Sequence, residues 1–94
     1  MTRDPVTPEV AQAVFARDGR CVALLLGEWA SSCSGPTELD HVQDENGIGK
    51  KRAKSDVFHL VALCRGHHRE SRAGSIWANS HRPELRNYLW EVNR

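Results

Sequence analysis

Ninety-four residues fit one small domain and leave no room for a second. The composition, 39% hydrophobic and 27% charged, excludes wholesale disorder, and the longest apolar run, Cys21 to Leu26, is far too short to span a bilayer. The net charge is only +1, yet residues 1–47 carry three basic against eight acidic side chains, and residues 48–94 carry ten against four. That asymmetry points to a half facing a polyanion, or to a solvated surface with uneven signs.

The opening residues lead into no apolar stretch, so the reading has no signal peptide, no membrane partner and a cytoplasmic location. Thr7-Pro8-Glu9 opens a helix: Thr7 caps it, Pro8 takes its first position, Gly19 stops it, and Val10, Val14 and Phe15 form its apolar stripe. Residues 21–26 suit a strand. Residues 27–38, rich in Gly, Ser and Pro, suit a loop. Leu39–Val42 is a short strand-like piece, and 43–56 is a second loop that turns basic at Lys50-Lys51-Arg52-Ala53-Lys54. Residues 57–64 suit a strand or a tight turn. A polar helix follows Cys64 and is expected to end at Gly74. Arg82-Pro83-Glu84 opens a last helix, about 83–92, with Leu85, Leu89 and Val92 or Tyr88 inward. Trp77 and Trp90 read as core or helix-docking residues, and Trp29 as a cover for the cysteines or an exposed loop residue.

Three cysteines without an export signal argue against a disulfide framework. Cys64-Arg65-Gly66-His67 has C-x-x-H spacing, which lets two ligands at a turn reach one ion. Cys21 and Cys33 can complete a tetrahedral zinc site across a loop wider than usual; otherwise they are small buried hydrophobes. Asp40 is a hard oxygen ligand and His41 titrates near neutrality. His68, next to His67, can turn away from the zinc and join Asp40 on a second, divalent ion. His67 and His68 can also exchange roles, since sequence does not fix where each ring points. Such an arrangement suits phosphodiester hydrolysis with one catalytic metal.

Asp40-His41, the apolar Leu-Val-Ala-Leu-Cys segment and x-x-His67-His68, preceded by Arg17-Asp18-Gly19-Arg20-Cys21, resemble the HNH endonucleases of the ββα-metal class. The small phage and prophage type with a structural zinc is the nearer likeness, with a similar tail at Trp77–Pro83. The resemblance covers roughly residues 10–72, with a motif core of about 17–72. It implies an α+β fold: a treble-clef-like ββα-metal finger flanked by N- and C-terminal helices.

The resemblance further implies His41 as general base, Asp40 and His68 as ligands of a catalytic Mg²⁺, Mn²⁺ or Ni²⁺, and Cys21, Cys33, Cys64 and His67 as ligands of Zn²⁺. His59 stands where the family usually has asparagine, a residue that orients the base. This chain also opens the first cysteine pair to eleven intervening residues and ends the second in histidine. Lys50, Lys51, Arg52, Lys54 and Arg69 are the expected phosphate contacts, with Arg65 and Arg72 extending them. The implied activity is DNA cleavage leaving 5′ phosphate and 3′ hydroxyl ends. The implied partners are DNA and phage terminase or portal proteins. The alternative is a zinc-stabilised DNA-binding or terminase-accessory protein without cleavage of its own.

Overall fold

The computed structural model describes residues 6–42, 55–72 and 74–94. The first helix, α1 (Pro8–Asp18), forms as its caps predict: Thr7 Oγ1 accepts from Val10 N at 3.2 Å, and Gly19 closes it at φ 73° with its N–H on the Phe15 carbonyl. A residue with a side chain pays for that left-handed φ, and glycine does not. Val14 is fully buried, but Phe15 is exposed. The helix also buries Asp18, which its periodicity did not mark.

The run 21–26 is a helical turn, α2 (Val22–Leu25), where a strand was expected. A strand sends neighbouring side chains to opposite faces, whereas here Val22 and Ala23 are both fully buried beside Cys21. A short apolar run carries no period that separates the two forms. After a 3₁₀ turn (Ala30–Ser32), β1 (Thr37–His41) pairs antiparallel with β2 (Leu60–Cys64), in a register that sets Thr37 opposite Cys64 and His41 opposite Leu60. Every residue of β2 is buried, so this strand is the spine of the core. Val61, Leu63 and Cys64 pack there with Cys21, Val22, Ala23, Val42, Ala78, Leu85 and Leu89.

The polar helix after Cys64 is α3 (Arg65–Arg69). It ends five residues earlier than Gly74, because Glu70 turns extended and β3 (Ser71–Arg72) pairs with β4 (Ser75–Ile76). Gly74 lies in the turn of that hairpin instead. A short helix, α4 (Trp77–Ser80), precedes α5 (Arg82–Val92). Leu85 and Leu89, one helical turn apart, anchor α5 in the core, with Tyr88 half-buried; Val92 and Trp90 face outward. Trp77 docks as expected, stacked on His81 with ring centroids 4.1 Å apart. Trp29 is 80% exposed and covers nothing. The architecture is a small α+β unit built on a two-stranded antiparallel sheet. Among the described residues no helix is long and apolar enough to cross a membrane.

Candidate functional site

Three cysteines and one histidine from three separate segments converge at one end of β2. Cys21 precedes α2, Cys33 follows the 3₁₀ turn, Cys64 caps α3, and His67 sits in α3. Their ligand atoms all lie within 4.8 Å of one another. His67 Nδ1 is 3.6 Å from Cys21 Sγ, 3.6 Å from Cys33 Sγ and 3.1 Å from Cys64 Sγ. Zinc–sulfur bonds of about 2.3 Å and zinc–nitrogen bonds of about 2.0–2.1 Å at a tetrahedral angle set sulfur and nitrogen about 3.6 Å apart. The donor set and its spacing therefore fit a metal ion such as zinc.

Local structure explains the convergence. In the C-x-x-H segment Cys64 is the N-cap of α3, and its Sγ accepts from the His67 N–H at 3.4 Å. One turn of helix thus aims both ligands at one point. Gly35, at φ 75°, lets the cysteine loop close on α3: a β-carbon there would meet Arg65 Cβ at 2.9 Å. On either side of it, Ser34 and Pro36 carbonyls accept from Gly66 and Arg65. The far nitrogen of His67, Nε2, faces Ser32 Oγ at 3.1 Å, and Ser32 in turn donates to the Trp29 carbonyl. A metal-ligating imidazole is commonly held by such an outer partner, which fixes its tautomer. Trp77 meets the His67 ring edge-on and walls the cluster.

The thiols are not equivalent. Burial pushes Cys21 up, and burial with the bond to Cys64 pushes Cys33 up to about 12. Burial acts against Cys64 too, but the His67 and Ser34 backbone N–H groups outweigh it and bring its thiol below the ordinary value.

One residue further along α3, His68 points elsewhere. Glu38 and Asp40 are two apart on β1 and share a face, and His68 lies between them. Its Nδ1 is 2.9 Å from Glu38 Oε1 and its Nε2 is 3.2 Å from Asp40 Oδ1. Of the two neighbouring histidines, His67 faces the thiols and His68 faces the carboxylates. Asp40 is 3% exposed, and its other oxygen accepts from Arg82 Nη1 at 2.7 Å. The same Arg82 nitrogen reaches the His41 carbonyl at 3.2 Å. Asp40, then Glu38, raise the His68 pKa above its ordinary value; His68 first, then Arg65 and Arg69, lower Glu38 to about 2.

No family model, curated protein or solved structure matches the chain. The functional reading therefore rests on the residues and their geometry.

His41, the last residue of β1, turns its ring to the opposite face from Asp40, where Nε2 meets Ser55 Oγ at 3.0 Å. His59 pairs through its carbonyl with Val42 N at 2.7 Å, and its Nδ1 meets Asp56 Oδ1 at 2.6 Å. The structure thus brings Asp40 and His68 together, and places the His41 ring on the other face of β1, at the end of the sheet where His41 pairs with Leu60. Arg69 is held by Glu38 at 2.9 Å. Lys50, Lys51, Arg52 and Lys54 lie outside the described residues, as does the Arg72 side chain.

Sequence reasoning missed Glu38, Arg82 and the buried Asp18. Glu38 carried a usable signal, because a carboxylate two residues before Asp40 on a strand must share its face. Arg82 carried none: it lies 42 residues from its partner.

Proposed function

We propose that the chain is a metal-dependent DNA endonuclease of the ββα-metal, HNH type, with β1, β2 and α3 as its finger and Zn²⁺ on Cys21, Cys33, Cys64 and His67. The observation that carries this reading is the divergence of the adjacent residues His67 and His68. One enters a thiol cluster; the other meets a buried carboxylate at 3.2 Å, that of Asp40, the residue before His41 in the chain. Two ligands about 2.1 Å from one ion and at right angles stand about 3.0 Å apart. Asp40 Oδ1 and His68 Nε2 are therefore spaced to hold one Mg²⁺, Mn²⁺ or Ni²⁺.

When bound, that ion neutralises charge on the scissile phosphate and on the leaving oxygen. The protein's own residues do the rest. His41 takes a proton from the attacking water, whose oxygen bonds to phosphorus as the bond to the 3′ oxygen breaks. The leaving oxygen collects a proton, giving 3′ hydroxyl and 5′ phosphate ends. Arg82 ties the Asp40 carboxylate to the His41 backbone and fixes their relative position. Asp56 orients the His59 ring. Arg69 and the Lys50–Lys54 cluster supply charge for the DNA backbone.

A second reading, a zinc-held DNA-binding or phage terminase-accessory module without cleavage, is favoured by one observation. Both oxygens of Asp40 are already engaged, by Arg82 and His68. Nicking of supercoiled plasmid by zinc-loaded protein, with Mg²⁺, Mn²⁺ or Ni²⁺ added singly, separates the two. The nuclease reading expects metal-dependent nicking that falls by about 10²–10⁴-fold in His41→Ala. Absence of nicking by folded wild type with every metal selects the binding module.

A further inference from the structure

A groove of about 440 Å³ runs between α5 and the segment that leads into β2. That lies within the range of about 300–1,000 Å³ typical of small-molecule sites. Val42 and Leu89, both buried, form its floor. Phe58 and Trp90 flank it and are 59% and 71% exposed. Two large aromatic faces beside one groove are more than a solvated surface requires.

These faces are held in place. The Val57 carbonyl accepts from Arg17 Nη1 at 2.6 Å and from Asn93 Nδ2 at 3.1 Å, and Phe58 N donates to Asp56 Oδ1 at 3.0 Å. Trp90 follows the core residue Leu89 on α5. Charge points the same way. Arg86 and Arg94 line the groove, and no carboxylate is among its described lining residues. The Arg86 side chain makes no hydrogen bond or ion pair with a described residue. The groove also reaches the hairpin end: His59 lines it, and Val42 directly follows Asp40 and His41.

We propose that this groove holds an unpaired nucleobase of a DNA strand, stacked against Phe58 and Trp90, with Arg86 on a neighbouring phosphate. The protein then prefers single-stranded or locally opened DNA to closed duplex. This rests on the reading of the hairpin end as the place of phosphodiester cleavage, and it adds the form of the substrate. The chemistry selects this occupant. A base offers a flat apolar face to each aromatic and an anionic backbone to the arginine, and in closed duplex those faces are covered by neighbouring bases.

The test uses the full zinc-loaded chain without added Mg²⁺, so that binding is read apart from cleavage. Anisotropy of a labelled mixed-sequence single strand is compared with that of its blunt duplex. Tighter binding of the single strand is expected. Trp90→Ala and Phe58→Ala each weaken it about tenfold, within the worth of one base–aromatic stack, while Trp90→Phe retains most of it. Unchanged zinc content and thermal melting of these exposed-site variants show that the fold is intact. Equal binding of both DNA forms, insensitive to either variant, overturns the proposal. So does sedimentation showing that Trp90→Ala only disrupts a dimer, which assigns the groove to a second copy of the chain. His41-dependent plasmid nicking without Trp90-dependent strand binding keeps the nuclease and removes the groove. Trp90-dependent strand binding without nicking does the reverse.

Discussion

Two buried clusters of ionisable groups clasp β2, one at each end, and they solve the problem of buried charge differently. At Cys64 the strand enters a set of three thiols and an imidazole, groups spaced to hold a cation. At Leu60 and Ala62 it meets Arg17 and Asp18, a pair that carries its own. Asp18 accepts from Arg17 Nε at 2.7 Å, from Ala62 N at 2.8 Å and from the Tyr88 hydroxyl. Arg17 donates to the Leu60 and Val57 carbonyls. One end is completed by protein alone and joins α1, β2 and α5. The other has the spacing for an ion from outside the chain. A small core can therefore be stapled by two independent devices, only one of which answers to a chelator.

Zinc removal is the strongest way to break this comparison. Structural zinc sites bind with apparent free energies of about 10–16 kcal/mol, which is also folding free energy. A strong chelator, or Cys64→Ser, is expected to abolish cooperative thermal unfolding followed by circular dichroism. His68→Ala, one residue from a ligand, is expected to keep one zinc per chain by elemental analysis. Loss of zinc in His68→Ala would mean that the two histidines are not separate in function.

Asp18→Ala attacks the self-sufficient end. It removes the buried carboxylate that the partly buried Arg17, Ala62 N–H and the Tyr88 hydroxyl bond to, and is expected to cost about 3–5 kcal/mol in urea unfolding with zinc bound. Retention of wild-type stability would show that this end holds nothing. Gly35→Ala is smaller and falls on the metal side. The positive φ and the 2.9 Å approach to Arg65 Cβ predict a loss of about 1–3 kcal/mol and faster zinc loss to a competing chelator.

Tyr88 gives the finest comparison, since it is the sole tyrosine of the chain. Burial, then the bond to Asp18, raise its pKa well above 10.0. The folded state favours the neutral phenol, so its contribution to stability is complete below the ordinary value of about 10 and is lost as pH rises through the folded value. Phenolate absorbance is expected to lag behind that of the denatured chain, and Tyr88→Phe to cost about 1.5 kcal/mol. Titration of the native protein near the ordinary value would remove Tyr88 from the cluster.

Much of the metal cluster was legible before the fold. C-x-x-H is a local geometry, written into one turn beginning at an N-cap, and an odd count of cysteines already leaned toward a metal. The ends of α1 and the start of α5 were legible for the same reason, because Thr7, Pro8, Gly19 and Pro83 act on backbone groups within a few residues. The helical turn at 21–26 was not. Its apolar residues are compatible with strand and helix alike, and the choice lay with Cys21 and the core that receives Val22 and Ala23.

What the sequence by itself determined is therefore the set of donors and the local turns that aim them. Only the tertiary structure decided that His67 faces sulfur while His68 faces Glu38 and Asp40, that Arg82 secures Asp40 from 42 residues away, and that Asp18 is buried under Tyr88. The physical reason is range. A cap or a two-residue ligand gap is settled by backbone geometry over one turn, whereas the partner of a buried charge is whichever group the packing of distant segments brings within hydrogen-bond reach.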